Sequence, residues 1–473
     1  MDSIDTDLCI IGAGAAGLSV ASTAALLGVP VVLVEKAEMG GDCLHRGCVP
    51  SKALIAAAAH VAAARAAPEF GVSFGPANVE GPEVMARLRR VIAGIAPIDS
   101  AERYRALGVR VIAGEARFVA PRIVEAAGSR IRARRFVIAT GGRPAIPDVP
   151  GLAETPYLTS DTVFGLADLP TRLAVLGGGP VGCELAQAFR RLGAAVTLIE
   201  AGRLLAAEDA EAVAVVRRRL IAEGVAVHEG ARIDRIQPLT SGLTLDLSGP
   251  DAPAMLNEGQ LIVATGRLPD LDGLGLEAAG VAHTDKGIVV DARQRTSNPR
   301  VFAIGDCAEG PRFTHAAARQ AQVVIRNAVF RQRARFDPLL VPRATYTDPE
   351  IAGIGPSETE ARARGGGVQT LRFPFSENDR ARTDGRTEGF VKLIVDRRER
   401  ILGATVVGVG AADFIAPVGL AMQNGLKIGA LSDMIAPYPT RAETVRRAAL
   451  QALAPKLRSP WVGRLIRWAR RLG

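Results

Sequence analysis

The stretch DLCIIGAGAAGLSVASTAALLGVPVVLVE, residues 7–35, decides the fold of this chain. Its apolar start is followed by a G-x-G-x-x-G motif, a helical run to Leu27 and a second apolar segment that ends on an acid. Such glycines permit a tight turn, close approach of the backbone to a pyrophosphate and helix–strand packing, and the acid accepts hydrogen bonds from ribose hydroxyls. We therefore predict a strand–helix–strand unit that binds a dinucleotide through Gly12, Gly14, Gly17 and Glu35.

The same unit recurs in the middle of the chain. After the apolar residues 173–176 comes GGGPVG, then a helical run, and then an apolar segment that ends on an acid. In both units the acid lies eighteen positions after the last glycine, and an Ala-Thr-Gly segment closes each unit. A duplication of this kind predicts two nucleotide-binding domains. The further residues that we assign to nucleotide binding are Gly177, Gly179, Gly182, Glu200, Thr140, Gly141 and Gly266.

Two cysteines lie between the first glycine motif and its closing segment, in GGDCLHRGCVPSK at residues 40–52. Cys43 and Cys48 open an Ala-rich helical run, so we expect both sulfur atoms within about the first turn of one helix. A helix N-terminus and the Lys52 ammonium both favour thiolate over thiol. The alternative is a pair of buried cysteines that never meet. Two bound nucleotides, a held flavin and a diffusible nicotinamide, favour instead a redox-active pair that receives their electrons.

Composition and charge exclude several classes of protein. Five cysteines in 473 residues do not make a secreted disulfide framework, which predicts a reducing cytoplasm. Six cations and no acid lie in residues 456–473, so the net charge of +9 leaves about +3 for the rest, and we expect no nucleic-acid partner. Residues 8–34 carry no charge, but the glycine motif explains this segment better than a membrane span does.

These motifs together resemble the flavin-dependent pyridine nucleotide–disulfide oxidoreductases, the family of dihydrolipoamide dehydrogenase, glutathione reductase and mercuric reductase. The resemblance runs from about residue 7 to about residue 454. It implies an α/β fold with two Rossmann-like dinucleotide-binding domains plus an α+β dimerisation domain, and a homodimer. The expected boundaries are 1–148 and 271–340 for the FAD-binding domain, 149–270 for the NAD(P)-binding domain, 341–455 for dimerisation and 456–473 for a basic tail.

The resemblance also implies roles for single residues. Cys48 would be the charge-transfer thiol beside an FAD held by the first unit, and Cys43 the exchange thiol that meets the substrate. Lys52 would lie near flavin N5, paired with Glu184, although an exposed helical acid is the alternative at that position. Asp306, after an apolar strand, would hold the ribityl chain; the alternative is a turn aspartate. No resident metal site is expected.

The acid of the second unit bears on the choice of coenzyme. A carboxylate at Glu200 can accept hydrogen bonds from the 2′- and 3′-hydroxyls of NAD and would repel a 2′-phosphate. We therefore predict NADH over NADPH, although Arg203 lies close enough in sequence to complicate this.

One departure from the family pattern concerns the dimerisation domain. The disulfide reductases carry a histidine base there, five residues before a glutamate that orients it. This chain has Tyr438 five residues before Glu443, and all its histidines lie at or before position 315. A phenol is a poor proton acceptor near neutral pH, so we expect thiol–disulfide reactions about 10²-fold or more slower than with a histidine. We assign Tyr438 and Glu443 to the catalytic groups. An interface aromatic with no catalytic part is the alternative for Tyr438.

Three functions are consistent with these observations. The first is an NAD(P)H-dependent flavoprotein that reduces a disulfide or a soft metal ion. It most resembles the mercuric reductase-like branch, which lacks the histidine base. However, no cysteine follows Cys307, so this chain lacks the C-terminal cysteine pair of mercuric reductases. The second is a dihydrolipoamide dehydrogenase that oxidises a carrier-bound dihydrolipoyl group with NAD. The third, of another class, is a membrane-associated flavin redox sensor.

The C-terminal residues 459–473 have an amphipathic pattern. Both tryptophans of the chain, Trp461 and Trp468, share one side with Leu465 and Leu472, and arginines occupy the other. This pattern predicts either a helix in a membrane interface, with weak peripheral attachment to the inner face of a membrane, or a helix docked on the dimer.

Overall fold

A computed structural model describes residues 2–75, 77–365, 367–457 and 459–471. Its strands are β1 (Asp2–Ile11), β2 (Val31–Glu35), β3 (Arg110–Ala113), β4 (Ala116–Ala120), β5 (Ile123–Ala126), β6 (Ser129–Ile138), β7 (Gly142–Pro144), β8 (Leu158–Thr159), β9 (Arg172–Leu176), β10 (Ala195–Glu200), β11 (Ala226–Glu229), β12 (Arg232–Pro238), β13 (Leu243–Ser248), β14 (Met255–Glu258), β15 (Gln260–Val263), β16 (Arg267–Pro269), β17 (His283–Thr284), β18 (Gly287–Ile288), β19 (Val301–Ala303), β20 (Arg343–Thr345), β21 (Glu350–Ile354), β22 (Val368–Pro374), β23 (Phe390–Asp396) and β24 (Ile401–Gly408). Its α-helices are α1 (Ala15–Leu26), α2 (Gly41–His45), α3 (Cys48–Ala66), α4 (Gly81–Asp99), α5 (Ala101–Ala106), α6 (Pro180–Arg191), α7 (Ala210–Ala222), α8 (Leu276–Ala279), α9 (Thr314–Ala328), α10 (Glu358–Ala363), α11 (Asp379–Thr383), α12 (Ala411–Gln423), α13 (Ile428–Ser432), α14 (Glu443–Leu450), α15 (Ala454–Leu457) and α16 (Pro460–Ala469).

The described residues form two compact units. One comprises Met1–Gly202 and Gly224–Pro338, and the other comprises Arg203–Glu223 and Leu339–Gly473. The first unit contains both glycine motifs and the two cysteines of residues 40–52. The second contains the residues that the family resemblance assigns to dimerisation.

The first sheet is built around β1, which pairs in parallel with β2 on one side and with β6 on the other. β3 and β19 extend the parallel pairing, and β5 and β4 add an antiparallel edge. Leu8 and Ile10 of β1 face a core shared with α1 and α9, whereas Cys9 and Ile11 face a core on the other side. A strand covered on both faces needs apolar residues at consecutive positions. The predicted strand–helix–strand unit is confirmed.

The second sheet repeats this architecture in the same unit. Its strands follow the order β11-β10-β9-β15-β8, all paired in parallel, and α6 follows β9 as α1 follows β1. A small antiparallel sheet, β12-β13-β14, lies beside it. Both glycine motifs therefore lie at the carboxyl end of a central parallel strand, where such sheets bind ligands.

The second unit is built on an antiparallel sheet in the order β20-β21-β24-β23-β22. Alternate residues of β23, including Val391 and Leu393, pack into a core with α12, α13 and α14. Lys392 lies on the other face, where its buried ammonium is 2.9 Å from Asp209 and 3.1 Å from Glu211 of the α7 segment. An antiparallel sheet with helices packed against it makes this an α+β domain. The predicted fold class is confirmed, and the precise domain boundaries stay predictions.

Two segments bear on membrane spanning. The uncharged residues 8–34 form β1, α1 and β2, so the expectation that they are no membrane span is confirmed. The helical run Gly41–Phe70 is long and apolar enough to cross a bilayer by length and composition alone. It is broken between α2 and α3, and α3 packs against α4 and α6, while 22% of its most apolar window is buried in the described chain.

Candidate active site

The two cysteines of residues 40–52 lie on consecutive helices. Cys43 is in the middle of the short α2, and Cys48 is the first residue of α3. The expectation that one helix carries both is wrong, because Gly47 has backbone angles outside the helical region and ends the first helix. The Arg46 N–H closes α2 on the Asp42 carbonyl at 2.8 Å, and α3 starts anew. The chain thereby turns back and brings the second sulfur towards the first.

A single hydroxyl joins the two sulfur atoms. Thr314, the first residue of α9, places its Oγ1 3.4 Å from Cys43 Sγ and 3.5 Å from Cys48 Sγ. Both cysteines are free thiols in this structure. The structure therefore brings the two cysteines of the predicted pair together. No local sequence pattern marks Thr314 as part of this site, because it lies more than 260 positions away from both cysteines.

The two thiols differ in acidity. The pKa of Cys48 is lowered to about 6, first by a hydrogen bond from Cys43 and further by the Thr314 hydroxyl and the Lys52 charge, against the opposing effect of burial. The pKa of Cys43 is raised, first because its S–H donates to Cys48 and then because of burial. At neutral pH the pair therefore holds one thiolate, on Cys48, and one thiol, on Cys43.

Lys52 is held next to this pair by an ion pair. Its Nζ donates to Glu184 Oε2 of α6 at 2.8 Å, and the Glu184 side chain is only 6% exposed. Since α3 places residues four apart on one face, Lys52 lies one turn after Cys48. The exposed helical acid considered for Glu184 is wrong, because the carboxylate is buried against α3.

In the first glycine loop the fold requires glycine at two positions but not at the third. A Cβ at Gly12 would lie 2.3 Å from the carbonyl oxygen of Ala139, and a Cβ at Gly17 would lie 1.9 Å from that of Gly12. A Cβ at Gly14 would meet nothing nearer than the Gly41 Cα at 3.9 Å. Gly14 therefore leaves space at the start of α1, where an N-terminus favours anions, and this open cradle fits a dinucleotide pyrophosphate.

The second loop has the same division. A Cβ at Gly177 would lie 2.5 Å from the carbonyl oxygen of Ala264, and a Cβ at Gly182 would lie 1.8 Å from that of Gly177. At Gly179 nothing lies within 4 Å. Two separate loops thus each offer an open glycine at a helix N-terminus, which supports two nucleotide sites in the first unit.

The acids at the ends of β2 and β10 are held by backbone amides. Glu35 accepts from the N–H of Ala13 at 2.6 Å and of Ala37 at 2.7 Å. Glu200 accepts in the same way from Gly178 at 2.6 Å and Gly202 at 2.7 Å. Each carboxylate therefore braces its own glycine loop. Ionised carboxylates have about four lone-pair sites, so both retain capacity for ribose hydroxyls.

Asp306 lies in a cluster of charges that the sequence did not predict. The Arg267 guanidinium, just after the second closing segment, forms ion pairs with Asp42, Asp161 at 3.1 Å and Asp306 at 3.8 Å. Burial raises the pKa of both Asp42 and Asp306, and Arg267 opposes this rise. One arginine thus ties the redox-motif helix α2 to the Asp306 segment.

The closing segments form tight turns. Gly141 and Gly266 have φ values of +76° and +126°, which favour glycine, and a Cβ at either would meet no atom within 4 Å. The Thr140 hydroxyl donates to the carbonyl of Asp270 at 2.7 Å.

A cavity of about 330 Å³ lies in the same unit, lined by residues that include Ala15, Cys43 and Thr314. This cavity extends from the start of α1 to Cys43.

Tyr438 and Glu443 lie in the second unit and do not contact each other through hydrogen bonds. The Tyr438 hydroxyl donates to Asp379 Oδ2 at 3.0 Å, and its side chain is 69% exposed. That hydrogen bond, with the Asp379 charge, raises the tyrosine pKa further. Glu443 is buried and pairs with Arg447 at 2.9 Å. Both catalytic assignments stay predictions.

The chain matches known families and structures over most of its length. The model described as "Pyridine nucleotide-disulphide oxidoreductase" matches residues 6–321, and the dimerisation-domain model of that family matches residues 341–449. A mercuric reductase from Lysinibacillus sphaericus is 34% identical over 448 residues, covering 94% of this chain and 82% of that protein. A dihydrolipoyl dehydrogenase from Thermus scotoductus is 37% identical over 451 residues, which cover 94% of this chain and 96% of that protein.

A solved structure is also similar. It is the Cu(II) complex of the HOCl-induced flavoprotein disulfide reductase RclA from Escherichia coli, with a TM-score of 0.83 and 28% sequence identity. The alignment covers 93% of this chain and 99% of that one.

Proposed function

Because the chain belongs to the pyridine nucleotide-disulphide oxidoreductase family, we propose that it is an FAD-dependent NAD(P)H oxidoreductase that passes electrons through Cys43 and Cys48 to a disulfide or a soft metal ion. The observation that carries this proposal is the asymmetric pair itself: a Cys48 thiolate and a Cys43 thiol share the Thr314 hydroxyl beside the Lys52 ammonium. Such a pair can cycle between disulfide and dithiol.

The first glycine loop is the proposed FAD site. Gly14 would admit the pyrophosphate, Glu35 would accept from ribose, and Asp306 would hold the ribityl chain, with Thr140 and Gly141 at the closing turn. Bound FAD would accept a hydride from the nicotinamide and deliver two electrons to the sulfur pair. Lys52 supplies positive charge next to Cys48, and Glu184 fixes its position.

The chain's own sulfur chemistry then follows from the two pKa values. Two electrons and one proton convert the Cys43–Cys48 disulfide into the Cys43 thiol and the Cys48 thiolate. After losing its proton, Cys43 attacks an acceptor disulfide and expels one thiolate, and Cys48 then attacks Cys43 to release the second thiol and restore the pair. With a soft metal ion, both sulfurs act instead as thiolate ligands after Cys43 loses its proton. One Hg(II) ion would take up the two electrons of the pair, or two Cu(II) ions one electron each, and the Cys43–Cys48 disulfide is restored.

Anaerobic reduction with NADH tests this proposal. The reduced enzyme should show a long-wavelength band from thiolate-to-flavin charge transfer, and turnover should appear in a panel of lipoamide, glutathione disulfide, Hg(II) and Cu(II). A purified protein that binds no flavin, or that shows the same band after Cys48→Ser, would contradict the relay. Near-zero turnover with every acceptor, in a protein that still shows the band, would favour the redox-sensor alternative.

We propose NADH as the preferred coenzyme, because Glu200 at the end of β10 would face the ribose of a nucleotide bound at Gly179. A carboxylate there repels a 2′-phosphate. The Arg203 guanidinium donates to the Ala206 carbonyl at 3.2 Å within its own turn. A higher kcat/KM with NADPH than with NADH would refute this assignment.

A second function, dihydrolipoyl dehydrogenase activity, is favoured by the 37% identity to the Thermus scotoductus enzyme. The absence of any histidine after position 315 argues against it. The two directions can be separated by measuring NAD reduction with dihydrolipoamide against NADH oxidation with each acceptor. We also propose that the chain, which carries the family's dimerisation domain, acts as a homodimer in a reducing cytoplasm. Five cysteines in 473 residues are too few for a secreted disulfide framework, which supports this location.

A further inference from the structure

Residues 459–471, which we call the C-terminal tail, form a helix whose start is well specified. Pro460 occupies the first turn of α16, and the Ser459 hydroxyl accepts from the Val462 N–H at 3.3 Å. A serine cap followed by proline is a strong helix-start signal. The tail lies beyond residue 449, where the match to the family's dimerisation domain ends.

The sides of α16 differ in chemistry. At about 100° per residue, Trp461, Leu465 and Trp468 fall within an arc of roughly 60°. Ile466 adds an apolar side chain outside this arc. Arg464 flanks the arc and Arg467 lies on the side away from it, while the arginines at 470 and 471 follow the last helical residue, Ala469. Leu472, expected on the apolar face, lies outside the described residues, as do Arg458 and the Lys456 side chain.

The apolar face is uncovered in the described chain. Trp461 is 63% exposed, Leu465 44%, Ile466 54% and Trp468 59%. Large apolar side chains grouped in this way mark a binding surface rather than ordinary scatter. No acid follows Glu443 anywhere in the sequence, so the arginines have no neutralising partner within the tail.

We propose that this tail lies in the surface of an anionic lipid bilayer. Its tryptophans and aliphatic residues would enter the boundary between headgroups and acyl chains, while the arginines contact the lipid phosphates and anionic headgroups. A second copy of the tail is a poorer occupant, because apposed apolar faces would bring two sets of arginines together without any acid to separate them. A purely polyanionic partner would leave both tryptophans in water.

Both tryptophans of the chain lie in this tail, so the tryptophan emission of the unmodified full-length flavoprotein reports on the tail alone. We would titrate the protein with vesicles of phosphatidylcholine and phosphatidylglycerol at about a 2:1 ratio, and with phosphatidylcholine alone. A blue shift, and quenching by brominated acyl chains, are expected with the anionic vesicles and should weaken as salt is added.

Charge variants make the test quantitative. Each basic residue near an anionic surface contributes about fivefold to partition, so Arg467→Gln with Arg471→Gln should weaken vesicle co-sedimentation by about 25-fold. Arg397→Gln with Arg398→Gln makes the same charge change on an exposed turn of the second unit and should change little. Trp461→Ser with Trp468→Ser should abolish co-sedimentation while flavin content and NADH oxidation stay normal.

Three results would overturn the proposal. One is unchanged emission with anionic vesicles at low salt, and another is equal binding to neutral and anionic vesicles. The third is a blue shift that depends on protein concentration without lipid, which would assign the apolar face to a second copy. None of these outcomes bears on the sulfur relay, which the acceptor panel tests separately.

Discussion

Gly179→Ala should separate nicotinamide binding from every other property of the protein. The backbone at Gly179 has φ −72° and ψ −178°, which any residue adopts, and a Cβ there would meet nothing within 4 Å. The methyl group therefore disturbs no part of the chain itself. It would project into the space that a pyrophosphate needs at the N-terminus of α6.

The size of the effect follows from two small, opposing contributions to the free energy of unfolding and one larger contribution to nucleotide binding. Replacing glycine gains about 0.4–1 kcal/mol by restricting the unfolded chain. Alanine is a poorer helix cap than glycine by a similar amount, so we expect the free energy of unfolding to change by less than about 0.5 kcal/mol. Displacing the phosphates forfeits hydrogen bonds to a charged group worth about 1.5–3 kcal/mol, which raises the nicotinamide Kd by about 10- to 150-fold.

The assay compares this variant with two others. Steady-state KM for NADH, flavin content from the absorbance ratio and thermal unfolding are measured for Gly179→Ala, Gly14→Ala and Gly182→Ala. Gly14→Ala should lower flavin content instead. Only the Gly41 Cα lies near the added Cβ, so the methyl group would occupy the space proposed for the FAD pyrophosphate. Gly182→Ala should unfold more easily by about 1–3 kcal/mol, because its Cβ would lie 1.8 Å from the Gly177 carbonyl. An unchanged KM in a fully folded Gly179→Ala variant would refute the assignment of that loop.

The remaining predictions concern the sulfur pair and the tyrosine. In the reduced enzyme the long-wavelength band should grow as pH rises through about 6, because the lowered pKa of Cys48 makes it a thiolate above that pH, and Cys48→Ser should remove the band. Thr314→Val should move the midpoint of the same spectroscopic titration to higher pH, because one hydrogen bond to the thiolate is lost. An unchanged midpoint would show that the hydroxyl does not affect the pKa of Cys48. Tyr438→Phe should leave flavin reduction by NADH unchanged in stopped-flow traces, whereas Tyr438→His should raise turnover with lipoamide or glutathione disulfide by at least about tenfold if this position serves proton transfer.

Local patterns allowed most of the fold to be predicted from the sequence. Each strand–glycine–helix–strand unit is specified within about thirty residues, and its apolar strands and glycine spacing leave little alternative. The break between α2 and α3 was missed, because the Ala-rich run after Cys48 hides the effect of Gly47 on the preceding turn. Local helix signals in this segment do not reveal where one helix ends and the next begins.

The long-range contacts of the site could not be predicted in the same way. Thr314 and Arg267 reach the redox motif from 266 and 225 positions away, and nothing in their local sequence marks them as partners of Cys48 or Asp42. The Lys52–Glu184 pair, at a separation of 132 positions, was predicted only because the family resemblance supplied it. Chemistry carried by short motifs is visible in the sequence, whereas the groups that tune it are brought in by the tertiary fold.

The protonation state of the Cys43–Cys48 pair affects which electron acceptor the enzyme can reduce readily. Cys43, the proposed exchange thiol, has a raised pKa and must lose a proton before it can attack a disulfide. The nearest histidine in sequence, His45, has its Nε2 2.9 Å from the Met39 carbonyl, and the Tyr438 phenol has a raised pKa of its own. A soft metal ion lowers this barrier without a base, because coordination by sulfur itself displaces the thiol proton. We therefore expect this chain to reduce a soft metal ion faster than it reduces a disulfide.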